Sequence, residues 1–298
     1  MSSWDTPASK LGLVVAGIPL DVYSCANATK PETLVAVMFL LHGRMGSARK
    51  MEDYVHGIFK EVQERRRALP QGAREAQDLY IVTFDHRNHG KRMENKKANM
   101  GWFDDPEKNN ERHAIDMYAI QTGTAQDVSY LIDFLPSYMF PNGERHISQW
   151  ICAGKSLGGH STWIVLRNDP RVKLGIPIIG CPDYLTLISK RAKAHKLPAG
   201  PPYIPDSLLA LIKRTDPAAS PYTVLDDSNP FLGKKILVLA GKDDKTVPWS
   251  AGKTFVETLN VGQRGVKEVI IEEGVGHEFS EAMVKEVAHF VWQHALLQ

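Results

Sequence analysis

The sequence predicts an α/β protein, a mostly parallel twisted sheet of about eight strands with helices on both faces. Short β-branched runs alternate with longer helical patterns along the whole chain. Several of the runs, such as 149–153, read as strands buried on both faces. At 298 residues, about 75% of the unfolded surface can be buried, so a sizeable core is available.

The elements follow in order. Residues 12–24 read as two strands around Ala16-Gly17-Ile18-Pro19, and 34–41 as a buried third. Residues 51–67 are helical, 79–84 a strand, 111–135 a long helix or a pair, and 149–153 a buried strand. A helix over 157–167 leads to a strand over 174–179. Strand 235–240, helix 251–259, strand 268–271 and helix 281–297 complete the chain. Between Cys181 and Lys234 several prolines accompany two short helical patterns, near 185–195 and 207–213, with no evident strand. That stretch reads as a small helical lid or insertion, bounded near 182–233, within a single domain spanning 1–298.

Composition excludes several classes. Hydrophobic residues at 43% and charged residues at 23% describe an ordinary globular chain, neither disordered nor fibrous. A formal charge of +2, from 36 basic and 34 acidic residues, is too small for a protein whose affinity rests on neutralising many phosphates, so no nucleic-acid partner is expected. Arg65-Arg66-Arg67 follows Glu61 and Glu64 in a helical pattern and reads as a solvated face. Cys25, Cys152 and Cys181 are an odd number without paired spacing, which argues for a reducing, cytoplasmic location. The apolar stretch 11–20 imitates a signal-peptide core, but Asp5 precedes it and Pro19 and Asp21 interrupt its end. No apolar run approaches the roughly 20 residues that span a bilayer.

The decisive stretch is Ile151-Cys-Ala-Gly-Lys-Ser-Leu-Gly-Gly-His160. A phosphate-binding loop requires a glycine five positions before Gly154; Gln149 stands there, and the residues between are strand-like and apolar. Gly154-Lys155-Ser156-Leu157-Gly158, directly after a strand and before a helix, instead fits a turn that lifts a nucleophilic serine above a sheet. A serine hydroxyl needs an imidazole to take its proton and a carboxylate to orient that imidazole, in the chain order serine, acid, histidine. Strand 235–240 runs into Asp243 and Asp244, and strand 268–271 runs into His277, so all three groups lie at the binding edge of a parallel sheet. Strand 34–41 ends in His42-Gly-Arg-Met-Gly-Ser47, a loop able to aim a backbone N–H at the serine beside that of Leu157.

With these features in place the chain resembles the α/β-hydrolase superfamily over nearly its whole length. Asp85-His-Arg-Asn-His-Gly-Lys-Arg92, the strand-end His42-Gly43 and Gly158-Gly159-His160 resemble small single-domain serine esterases of the prolyl-oligopeptidase-like group. The resemblance implies Ser156 as nucleophile, His277 as general base and acid, and Asp244, three residues before Val247-Pro248, as the orienting acid, with Asp243 the alternative. It implies backbone donors at Arg44 and Leu157 and no metal or organic cofactor. The implied reaction is hydrolysis of a small or medium carboxylic ester, a small-molecule substrate, through an acyl-enzyme. Thioester or small-peptide cleavage is the alternative chemistry, and a non-catalytic ligand-binding protein the alternative class. Arg44 and Lys155 depart from a plain ester site: either they make its mouth basic and favour substrates bearing a carboxylate or phosphate, or they point to solvent. Met45, Lys155, Trp102, Phe103 and Tyr184 are candidate substrate contacts. His42, His86, His89, His160 and Cys181 read as structural, with Asp85 and His89 tying down the loop after the fourth strand.

Overall fold

The computed structural model describes residues 8–25, 34–71 and 76–297. Asp5, used above against a signal peptide, lies outside them. Strands β1 (Ala8–Val15) and β2 (Ile18–Cys25) form an antiparallel hairpin. The turn is Ala16-Gly17 alone: both residues take positive φ, and Ile18 and Pro19 already belong to β2. The apolar stretch 11–20 is thus the first hairpin. β3 (Val35–Leu41), α1 (Glu52–Arg67), β4 (Asp78–Phe84), α2 (His113–Met139), β5 (Ile147–Lys155) and α3 (Leu157–Asn168) follow, with 111–135 resolved as one helix. β6 (Val172–Ile178), α4 (Tyr184–Ala194), α5 (Asp206–Thr215), β7 (Lys235–Gly241), α6 (Trp249–Thr258), β8 (Val266–Glu272) and α7 (Glu281–Val291) complete the chain. A single wider, π-helical turn over Trp292–Leu296 extends the last helix.

The sheet runs β1-β2-β4-β3-β5-β6-β7-β8. Pairing is parallel from β4 to β8 and antiparallel at β1 and β2. β3, buried at every position, shows why so many strands read as unbroken apolar runs. Ala36, Met38 and Leu40 join the core under α1 and α7, while Val35, Val37, Phe39 and Leu41 join the core under α2, α3 and α6. The helices covering the first face carry matching stripes, Val55, Ile58, Phe59 and Val62 on α1 and Val284, Val287, Ala288 and Val291 on α7. Arg66 departs from the solvated reading of its basic run. It donates to the carbonyls of Ala76 (3.0 Å) and Gln77 (2.7 Å) and pairs with Asp78 at 3.4 Å, tying the end of α1 to the start of β4.

Between β6 and β7 lie α4 and α5 and no strand. Tyr184, Ile188, Ala192, Ile204, Leu208 and Ile212 from this segment cluster with Trp102, the start of α2 and Leu157, so the segment packs beside the turn after β5. Among the described residues no helix is long and apolar enough to cross a membrane. Cys25, Cys152 and Cys181 are free thiols.

Asp216 anchors this segment by accepting the N–H of Tyr184 at 3.0 Å. Burial pushes its carboxyl from 3.8 up to about 8, outweighing that hydrogen bond. The folded state therefore keeps a proton that the unfolded chain has already released, and stability declines as pH rises from about 4 to about 8. Asp216→Asn removes this dependence. Denaturant unfolding at pH 5 and pH 8 should show the variant gaining on the wild type by about 1 kcal/mol or more at the higher pH.

Candidate functional site

Because β3, β5, β7 and β8 are parallel, the loops leaving their C-terminal ends share one edge of the sheet. Ser156 lies on the connection from β5 to α3, with φ 55° and ψ −109°. A non-glycine residue there is strained, and the strain persists because the surroundings fix it. The Ser156 N–H donates to the Ile178 carbonyl at 2.8 Å, and the Gly158 N–H to that of His42 at 3.1 Å. A β-carbon on Gly154 would fall 2.4 Å from the Gly158 carbonyl oxygen, and one on Gly158 2.5 Å from that of Leu41. These two glycines let strand, turn and helix backbones approach closely enough to raise the serine.

The Ser156 hydroxyl lies 2.8 Å from His277 Nε2, and His277 Nδ1 lies 2.7 Å from Asp244 Oδ2. A carboxylate only accepts, so Nδ1 carries the proton and Nε2 is left to accept from the serine. Asp244 is almost fully buried, its side chain 1% exposed, whereas that of His277 is 24% exposed. The other oxygen of Asp244 accepts the N–H groups of Thr246 and Val247, each at 2.8 Å. Burial alone would raise this carboxyl, but the bonds from His277 and the two amides outweigh it and hold it below the ordinary value. Asp243 stands exposed beside it.

A β-carbon on Gly43 would lie 3.5 Å from that of Ser156, so the Gly43–Arg44 backbone runs directly beside the hydroxyl-bearing residue. Neither the Arg44 nor the Leu157 N–H donates a hydrogen bond among the described residues. Met45 holds φ 61°, and Ile179, just beyond β6, holds φ 44°. A β-branched residue in that region is an outlier, and both strained positions flank the turn.

The remaining sequence candidates divide. Met45 and Phe103 are exposed, and a β-carbon on Gly101 would lie 3.6 Å from both the Phe103 ring and Arg44 Nη1, so that ring and the guanidinium stand on the same side of Gly101. Trp102 is buried, its indole donating to the Glu111 carbonyl at 3.2 Å and its ring edge-on to His113. Tyr184 is buried too, its hydroxyl donating to the Ala114 carbonyl at 2.6 Å. Lys155 donates to the Tyr54 hydroxyl at 3.2 Å and lies over that ring. Arg191, on α4, stands beside the site although nothing in the sequence singles it out: it donates to the carbonyl of Thr246 at 3.0 Å, two residues beyond Asp244. Only the fold brings it there.

The other histidines of this edge are fixed parts. His42 accepts the His86 N–H on Nε2 at 3.0 Å, which leaves Nδ1 to donate to the Gly43 carbonyl at 2.8 Å. Burial lowers its pKa to about 4 and that of His160 to about 3, so both are neutral. His160 Nδ1 accepts the Cys181 N–H at 2.8 Å. Asp85 holds the loop after β4, accepting from the Ala48 and Lys91 amides at 2.8 Å each. Open hollows of about 490 and 660 Å³, lined by residues such as Asn95 and Arg112 or Lys10 and Glu52, lie away from Ser156.

No protein-family model and no curated protein matches the sequence. Solved structures do resemble the chain. The Thermus thermophilus protein TT1662 is 20% identical and superposes with a TM-score of 0.64, over 97% of this chain and 99% of that one. The Pyrococcus furiosus esterase Pf2001 is 17% identical, with a TM-score of 0.52 over 97% and 94%. A hyperthermophilic esterase from the archaeon Pyrobaculum calidifontis is 16% identical, with a TM-score of 0.53 over 98% and 88%. At such identities the likeness concerns architecture, and with the strand order above it gives the chain the α/β-hydrolase fold.

The geometry separates the two neighbouring aspartates. Asp244→Asn should slow covalent modification of Ser156 by a fluorophosphonate by about 10³- to 10⁴-fold, because the imidazole loses its orienting acceptor. Asp243→Asn should change that rate by less than about threefold; the reverse ranking would move the orienting role to Asp243.

Proposed function

We propose that the protein is a serine hydrolase that cleaves small or medium carboxylic esters through an acyl-enzyme. The observation that carries this reading is the unbroken hydrogen-bonded line from the Ser156 hydroxyl through His277 to buried Asp244, mounted on a strained turn between a strand and a helix. Resemblance to proteins named as esterases favours esters among acyl compounds.

The reaction begins as Ser156 Oγ attacks the ester carbonyl carbon while its proton passes to His277 Nε2. Asp244, unable to donate, stabilises the resulting imidazolium and keeps the ring in register. The carbonyl oxygen becomes an oxyanion between the N–H groups of Arg44 and Leu157. Each such donor typically contributes about 10²- to 10³-fold in rate, because it is aimed before charge develops. Collapse of the tetrahedral species breaks the bond to the alkoxy oxygen, which takes the proton from His277 and leaves as the alcohol. Water then attacks the acyl-serine, gives its proton to the same nitrogen, and releases the carboxylic acid as Ser156 regains its hydrogen. These steps use protein groups and water alone. In this reading the segment 182–233 is a lid that shapes the acyl and alcohol sites, and the three free thiols fit a reducing, cytoplasmic compartment.

Hydrolysis of p-nitrophenyl butyrate provides the test. Wild-type protein should release nitrophenol and, quenched during turnover, yield a peptide acylated at Ser156. Ser156→Ala and His277→Ala should each lose about 10⁴-fold or more in kcat. Wild-type activity retained by either variant, or an acyl group on another residue, would exclude the mechanism.

A further inference from the structure

Two guanidinium groups belong to elements that build this site, and among the described residues neither is in ion-pair contact with a carboxylate. Arg44 follows the glycine that abuts Ser156, and its Nη1 donates to the Asn99 carbonyl at 3.3 Å. Arg191 reaches in from α4, with Nη2 donating to the Thr246 carbonyl at 3.0 Å and Nη1 standing 3.4 Å from His113 Nε2. Neither makes an ion pair among the described residues. Each guanidinium has five N–H groups, so each retains donors after binding its backbone carbonyl. Lys155, the other cation near the turn, is already engaged with Tyr54.

Holding backbone carbonyls does not explain the pair, because a neutral donor would hold them equally well. Burial, joined by the charge of Arg191, lowers Arg44 to about 10. Both arginines also oppose protonation of His113, which burial and their charges bring down to about 3. Two partly desolvated like charges within electrostatic range are unfavourable unless an anion joins them. Asp244 acts on Arg191 only from beyond ion-pair contact, and its oxygens are taken by His277, Thr246 and Val247. The missing negative charge therefore has to arrive from outside, and the planar two-pronged guanidinium suits a carboxylate.

We propose that Arg44 and Arg191 form a carboxylate-binding subsite beside Ser156, so that the preferred substrates are esters bearing a second, free carboxylate. This rests on the hydrolase reading of Ser156. The subsite extends the sequence-level expectation for Arg44, and replaces Lys155 by Arg191 as the second cation.

Matched ester pairs test it. Mono-p-nitrophenyl succinate against p-nitrophenyl butyrate puts the charge on the acyl side; 4-acetoxybenzoate against its methyl ester puts it on the leaving group. Each kcat/KM is divided by the rate constant for hydroxide hydrolysis of the same ester. Wild type should favour the anionic member of at least one pair by about tenfold or more, mainly through KM, as expected when a charge-assisted hydrogen bond forms. Arg191→Gln and Arg44→Gln should each reduce that ratio about tenfold, Arg191→Lys should keep part of it, and 0.5 M NaCl should shrink it. Ser156-dependent hydrolysis of the neutral esters with no anionic preference in either pair would overturn the subsite and leave the hydrolase reading standing. A preference that persists in both glutamine variants would likewise overturn it. If Ser156 neither reacts with a fluorophosphonate nor supports hydrolysis of any of the four esters, the hydrolase reading fails and the subsite falls with it.

Discussion

Everything at the binding edge depends on how closely β5, its turn and α3 pass one another. Ser156 sits at φ 55° only because its N–H is caught by β6 and the Gly158 N–H by the loop after β3. With Gly154 and Gly158 in place the helix starts within reach of the neighbouring strand ends, and the hydroxyl rises from the sheet instead of lying in it. The strained residues at 45, 156 and 179 belong to three different connections, yet all lie around this crossing. Local strain there is offset by the two hydrophobic cores that clamp the sheet from both faces.

Electrostatics then sorts the histidines of this edge. His42, His86 and His160 are buried deeply enough that desolvation drives their pKa values well down. They are neutral spacers: His42 and His86 stack with ring centroids 3.9 Å apart, an approach two imidazolium ions would resist. His277 differs by being partly exposed, by meeting a hydroxyl on one nitrogen, and by having a buried carboxylate on the other. The same residue type thus stands either as a buried neutral support or as a partly exposed link between a hydroxyl and a carboxylate, according to burial and partners.

Much of this was legible in the chain. Strands buried on both faces announced a parallel sheet, and the loops after β7 and β8 were expected to bring Asp244 and His277 to the edge that holds Ser156, where the three side chains lie within hydrogen-bonding distance one after another. The spacing of Asp244 from Val247 also had a physical meaning visible only in three dimensions: the Val247 amide turns back onto the carboxylate. Periodicity could not reveal which cations meet. Arg191 lies in a segment that the sequence marks only as a helical lid or insertion, and the fold alone carries α4 to the loop of Asp244. Lys155, adjacent to Ser156 in sequence, points instead to Tyr54 on α1. Trp102 and Tyr184 show a similar limit, since an aromatic near a site in sequence gives no sign that neighbouring carbonyls already hold its polar atom.

The central claim is that a line of three side chains converges with two unengaged backbone amides on one reacting carbon. A crystal structure of the protein after reaction with an alkyl fluorophosphonate tests this most directly, since the phosphorus stands where that carbon would be. The account predicts phosphorus bonded to Ser156 Oγ and a phosphoryl oxygen within about 2.7–3.1 Å of the nitrogens of both Arg44 and Leu157. An adduct on another residue, or a phosphoryl oxygen turned to solvent with both amides out of reach, would contradict it.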